Sequence, residues 1–149
     1  MPVDPVFLDL INYGICRTLN ERFGKEATEE IFREVGRICY RRAKEKGYIT
    51  RGEDPLDTLV EVAKFLERMG YMERIAITEV SEDELILDMY GVSVLESSIE
   101  LVDSGMAPSH FMTNIMFAAL EDHEMGAKLI DLGFDPEENH VREKWVLLR

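Results

Sequence analysis

The stretch that decides the fold is Asp54–Val92, DPLDTLVEVAKFLERMGYMERIAITEVSEDELILDMYGV. Asp54-Pro55 has the chemistry of a helix start: the Asp side chain accepts an orphan amide, and Pro presets the helical φ where its missing N–H costs nothing. Leu56, Leu59, Val60, Ala63, Leu66 and Met69 then recur at helical spacing, and Gly70 stops the pattern. Beyond it Ile75 and Ile77 alternate with polar neighbours, Ser81-Glu82-Asp83 supplies a turn, and Leu85, Leu87 and Met89 alternate with Glu84 and Asp88. This is a helix followed by a one-sided hairpin.

Upstream, Asp4-Pro5 opens a helix to Phe23, with Leu8, Ile11, Ile15 and Leu19 as its apolar stripe and Gly24 as its stop. A second helix, near Ala27 to Lys46, presents Ile31, Phe32, Val35, Ile38, Cys39 and Ala43. It is expected to lie antiparallel to the first because the connection is so short. Downstream, Leu95, Ile99 and Val102 suit one short helical face, and Ser104-Gly105 interrupts it. Pro108 opens a central helix to about Asp122 that is apolar nearly all round, which calls for an interior place or an oligomer contact.

The last two segments, Ala127–Leu132 and Val141–Leu148, read as strands. In the second, Val141, Glu143, Trp145 and Leu147 face one way and Arg142, Lys144, Val146 and Leu148 the other. The expected order is α-α-α-β-β-α-β-β, an α+β fold with a four-stranded antiparallel sheet against helices. The 149 residues, 46% hydrophobic, suffice for one core, and no linker divides them, so a single domain over 1–149 is expected.

Thirty acidic residues against 17 basic give a net charge of −13, a field that repels phosphate and argues against nucleic-acid binding. Seven of the basic residues fall between Arg33 and Arg51; they form a solvated helix end, a basic lip for an anionic headgroup, or a contact between subunits. No run reaches the roughly 18 apolar residues of a membrane span, and the start has no basic leader, so a cytoplasmic protein is expected. Cys16 and Cys39 fall in helical patterns out of register, which suits buried free thiols rather than a disulfide.

Two short motifs carry a family resemblance. Leu66-Glu67-Arg68-Met69-Gly70-Tyr71 ends a helix in Gly before the first hairpin, and Ala107-Pro108-Ser109-His110-Phe111 leads from a loop into the central helix. Together with the element order they resemble the 4-vinyl reductase, or hydrocarbon-binding, domain family, whose fold is shared by small subunits of the TRAPP tethering complex. The resemblance implies a buried pocket for a small apolar or aromatic molecule, a homodimer, and a sensing role with no conserved chemistry. The family's cysteines near the central helix and C-terminal hairpin have no counterpart here, where Ser109 or His110 takes the first position, so no metal ligand or cofactor is carried over.

The candidate site lies on the central helix. His110, Asn114, Phe117 and Glu121 succeed one another at i+4, i+3 and i+4, sharing one face that mixes an aromatic wall with polar groups. Phe111, Met112, Met116 and Tyr90, with Trp145, either complete such a pocket or fill a core; seven of the eight methionines lie between Met69 and Met125. His110 and Glu121, eleven residues apart, stand about 16 Å apart along one helix and cannot share an ion, so no metal site is expected. The alternatives to a binding pocket are an assembly module that buries the apolar helices, and a small-substrate enzyme with His110 as general base.

Overall fold

The computed structural model describes residues 3–149, organised as α1 (Pro5–Phe23), α2 (Lys25–Glu45), α3 (Pro55–Arg68), β1 (Arg74–Ser81), β2 (Glu84–Tyr90), α4 (Leu95–Asp103), α5 (Phe111–Glu121), β3 (Gly126–Asp135) and β4 (His140–Leu148). The expected α+β architecture is present: five helices and one antiparallel sheet in the order β1-β2-β4-β3. The expected caps form. Asp4 accepts from the Val6 amide, Asp54 accepts from the Asp57 amide, and a proline follows each of them. Gly70 takes φ 79°, which lets the Tyr71 amide reach back to the Leu66 carbonyl and close α3.

β2 and β4 form the centre of the sheet, with Leu87 opposite Glu143 and Tyr90 opposite His140; β3 adds Leu132 opposite Glu143 and Phe134 opposite Val141. Alternation puts Leu85, Leu87, Met89, Val141, Glu143, Trp145 and Leu147 on the covered face, against α3 and α5. On the other face Asp88 pairs with Arg142 and His140, and Tyr90 stacks on His140 at 4.5 Å. Burial alone would raise the Asp88 carboxyl, but hydrogen bonds from Arg142 and His140 outweigh it and hold the group below its ordinary value.

The apolar α5 runs between α2 and the sheet. Its Met112, Met116, Ala119 and Leu120 are buried, and Asn114 lies directly against the backbone of Gly36. The inward face of α2 is Thr28, Phe32, Gly36, Tyr40 and Ala43, an i, i+4 spine that leaves Ile38 and Cys39 exposed. Cys39 is therefore a surface thiol and not a buried one; Cys16 is buried, and both are free.

Helix α1 departs most from its sequence pattern. It buries Asn12, Cys16 and Asn20 and turns Phe7 and Leu10 outward together with Leu8, Ile11 and Ile15 of the expected apolar stripe; of that stripe Leu19 alone is partly buried, against Cys16 and Phe32. The cause lies in what α1 packs against. The irregular segment after α4 is buried at Ala107, Pro108 and Ser109, and its backbone groups need partners. The Asn20 side chain supplies them, donating to the Ala107 carbonyl at 2.9 Å and accepting from the Ala107 amide at 2.8 Å, while Asn12 donates to Ser97. Helix α4 and this segment also revise the order, since a helix stands between β2 and α5 and α5 begins at Phe111 rather than Pro108. Cys16, Phe32 and Leu101 centre a small second core under α1 and α4. Among the described residues no helix is long and apolar enough to cross a membrane.

Candidate functional site

The start of α5 is built to aim His110 sideways. Pro108 cannot continue a hydrogen-bonded turn, and His110 itself takes the left-handed conformation, φ 46°, a strained choice for a side chain of this size. The Asn114 amide group stabilises the turn by donating to the Ser109 carbonyl at 2.9 Å. So placed, His110 brings Nδ1 to 3.7 Å from Glu143 Oε2, with the imidazole one-quarter exposed.

Glu143 is the unusual member. It stands on the covered face of β4 between Val141 and Trp145 and is 2% exposed. Thr113 Oγ1 lies 2.8 Å from both of its oxygens, and Trp145 Nε1 donates to Oε1 at 2.9 Å. Thr113 has one proton to give and Trp145 one, against about four acceptor positions on a carboxylate. Among the described residues no Lys or Arg pairs with Glu143. The first turn of α5 favours a nearby anion, through a partial charge of roughly one half.

Glu143, Thr113 and His110 form the polar end of a cavity between the sheet, α4 and the start of α5. Met72, Met89, Met112, Phe111, Leu132 and Phe134 supply its apolar walls. Tyr71 also lines it, with part of its surface open to the space and, among the described residues, no hydrogen bond to its hydroxyl. Burial first, then the neighbouring Cys16 and Glu143, push the Tyr71 phenol well above its ordinary value. The cavity measures about 40 Å³, enough for a water or two and far below the roughly 300–1,000 Å³ of a drug-sized pocket. Among the described residues this cavity, beside the start of the central helix, is much smaller than the buried pocket the family resemblance implies. An open groove of about 640 Å³ lies outside, between α1, α4 and the β3–β4 turn, and shares Val92 and Leu95 with the cavity as walls.

Of the residues singled out from sequence, His110, Phe111 and Met112 meet at this cavity. Asn114, Phe117 and Glu121 do share a face of α5, but it turns toward α2. Asn114 meets Gly36, Arg33 lies over the Phe117 ring at 4.6 Å, and Glu121 is held by Arg33 and Arg37. Phe117 also packs edge-on to Trp145 at 4.7 Å, Met116 is wholly within the main core, and Tyr90 lies on the opposite side of the sheet. Glu143, Thr113 and Tyr71 were not singled out. Glu143 had a signal, a charge at an inward position of an alternating strand.

The basic run closes a different junction. Lys44 and Arg51 pair with Asp122 at 2.9 and 3.4 Å, Tyr40 donates to the same carboxylate, and Arg51 and Thr58 engage His123. Burial would raise Glu121 and Asp122, but hydrogen bonds from Arg37 and Arg33, and from Lys44 and Tyr40, outweigh it and hold both carboxyls below their ordinary values. The end of α5 is thus pinned to α2, while its start faces the cavity.

No family model matches the chain, and no curated protein does. Solved structures do match. A Cs H-NOX variant carrying 4-cyano-L-phenylalanine is 13% identical over all of this chain and 76% of its own, with a TM-score of 0.61. A protein described for modulation of haem redox potential through porphyrin distortion is 14% identical over all of this chain and 78% of its own, at 0.58. An oxygen-binding H-NOX domain related to soluble guanylate cyclases is 16% identical over 89% of this chain and 67% of its own, at 0.53. At such identities the likeness is one of fold. It corrects the 4-vinyl reductase and TRAPP resemblance: the two motifs behind it are a Gly-ended helix before a hairpin and a Pro-containing lead into a helix, local punctuation that specifies no one family.

Proposed function

We propose that this chain is a small-molecule-binding domain of the sensing kind, taking a small ligand whose polar end enters the cavity bounded by Glu143, Thr113, His110 and Tyr71 and whose apolar or aromatic part lies in the adjoining groove. The observation that carries the reading is the convergence of a buried carboxylate and an unpartnered phenol hydroxyl on one apolar space, the usual composition of a ligand site. Binding is favoured over turnover because Thr113 spends its proton on Glu143, and the only charged partner of His110 among the described residues is that same carboxylate. A titration with small monocyclic aromatics, followed by emission of Trp145, the single tryptophan, and by melting temperature, tests it. Saturable changes in both support the site; no response to any member of the set removes it.

Haem, which the descriptions of two matching structures name, does not fit these residues. An imidazole is available in His110, but the enclosed space is about 40 Å³. Neither the cavity nor the groove is lined by Lys or Arg, so the carboxylates of a haem would meet Glu143, Asp9, Glu96 and Glu100. Haemin added to the purified protein is expected to give no sharp Soret band; a stoichiometric, His110-dependent band would overturn this conclusion.

A second reading, compatible with the first, is a homodimer joined through α1. Val6, Phe7 and Leu10 are 76%, 56% and 64% exposed, and with Leu8, Ile11 and Ile15 they leave a charge-free face. That face amounts to on the order of 600 Å², large for a monomer and close to the roughly 800 Å² a subunit gives to a specific dimer. A second copy suits a face without charge on a chain of −13, since like charges there would repel. Light scattering should give twice the 17.2 kDa chain mass, and Leu10→Asp should halve it. A monomer at every concentration removes this reading.

A further inference from the structure

We propose that the ligand is an organic cation: a primary ammonium ion whose head enters the cavity onto Glu143 and whose apolar group, of about one ring, runs past Val92 and Leu95 into the outer groove. The inference rests on the site reading above and specifies its chemistry.

The first argument is the charge at the bottom of the site. Glu143 is 2% exposed, receives two protons from Thr113 and Trp145, and has no guanidinium or ammonium beside it among the described residues. A buried carboxylate is normally paired, because an uncompensated charge in such surroundings is costly. The helix end of α5 supplies only part of a charge. Oε2, toward which Thr113 is shared and His110 stands at 3.7 Å, is the oxygen with capacity to spare. An ammonium placed there offers three donors, one of them for Oε2, and Tyr71 is among the residues that line the same cavity. A head of this size suits about 40 Å³, which excludes a ring.

The second argument is the groove. Val6, Pro5, Ile99 and Pro136 give it an apolar floor, while Asp9, Glu96 and Glu100 are its charged residues, and none of the three forms an ion pair among the described residues. Such an approach concentrates cations and repels anions. Cavity and groove adjoin across Val92 and Leu95, so one ligand spans both once these two side chains turn aside.

The test compares benzylammonium, benzyl alcohol and benzoate, near-isosteric probes of charge +1, 0 and −1, against the full chain by calorimetry and Trp145 emission. Benzylammonium should bind about tenfold or more tightly than the alcohol, as a charge-assisted bond replaces a neutral one, and benzoate should bind worst. Glu143→Gln should bring the ratio of ammonium to alcohol affinity close to one. Should that variant not fold, Glu96→Gln with Glu100→Gln, on the exposed side of α4, should reduce the salt dependence of ammonium binding. Equal affinity for ammonium and alcohol in the parent protein overturns the cation assignment and leaves the small-molecule site standing. Failure of all three probes to bind overturns both.

Discussion

Two glycines inside helices should respond to the same substitution with opposite signs. Gly14 in α1 has nothing within 4 Å of where a Cβ would stand, whereas a Cβ on Gly36 in α2 would lie 2.6 Å from the carbonyl carbon, the oxygen and the Cβ of Asn114. Alanine relieves the conformational cost of glycine in a helix, a gain of about 1 kcal/mol at either position. At Gly14 that gain is the whole effect. At Gly36 the new methyl stands roughly 1 Å inside ordinary carbon contact distance, and two of the three clashing atoms are backbone, so α2 and α5 must separate. Overpacking of this kind costs about 1–3 kcal/mol, and the separation loosens contacts around Phe32, Tyr40 and Met116 as well.

The net expectation for Gly36→Ala is a loss of up to about 2 kcal/mol, against a gain of about 0.5–1 kcal/mol for Gly14→Ala. For a chain of this size each kcal/mol moves the melting temperature by about 2–4 °C. Thermal melts by circular dichroism, with urea midpoints as a second measure, should therefore bracket the parent protein from below and above. Because α5 also carries Thr113 and leads from His110, Gly36→Ala should alter Trp145 emission and Gly14→Ala should not. If Gly36→Ala melts at or above the parent, the close approach of the two helices described here is wrong.

Acid should weaken the molecule in a definite window. Glu121, Asp122 and Asp88 titrate below the ordinary values of 4.5, 3.8 and 3.8 in the folded protein, so the unfolded chain binds more protons as the medium is acidified. Their contribution is complete above the ordinary values and is lost as pH falls through and below them; urea midpoints should be level near pH 6 and drop steeply toward pH 3, less steeply in Glu121→Gln. A flat profile would contradict the ion pairs at the end of α5. The thiols should separate cleanly as well: exposed Cys39 should react with Ellman's reagent in the native protein, while Cys16, buried and pushed up to about 11, should react only on unfolding. Equal native reactivity, or a fast phase that survives Cys39→Ser, would refute the burial assigned to α1.

The parts legible in the sequence were those whose signal is local. Asp4, Asp54 and Gly70 state where helices begin and end because capping is chemistry between near neighbours, and the alternation of Leu85, Leu87 and Met89 places one face of β2 inward whatever covers it. That alternation also puts Tyr90 on the other face, away from a pocket on the covered side. Helix α1 was illegible for the opposite reason. Its partner is an irregular backbone segment far along the chain, so the helix presents amides inward and hydrocarbon outward, and no pattern within α1 marks that choice. Spacing groups His110, Asn114, Phe117 and Glu121 on one face, but His110 reaches the cavity while the other three turn toward α2, because a helix apolar all round does not say which neighbour each face meets. Gly36, eighty residues away, decides it.

The same distinction separates this fold from the choice of a ligand. Helix caps and strand alternation are satisfied by many sequences, which is why structures of 13–16% identity superimpose over nearly the whole chain. What a cleft accepts is set by the few inward positions that break the pattern. On β4 the run Val141, Glu143, Trp145, Leu147 is apolar except at one place, and the charge there is tolerated because Thr113 and Trp145 each bring a proton to it. Exchanging Glu143 for a leucine would leave every signal that specifies the fold intact while removing the only carboxylate in the cavity. The fold is therefore nearly silent about ligand charge; under the proposal above, position 143 sets it, with the acids that line the groove outside.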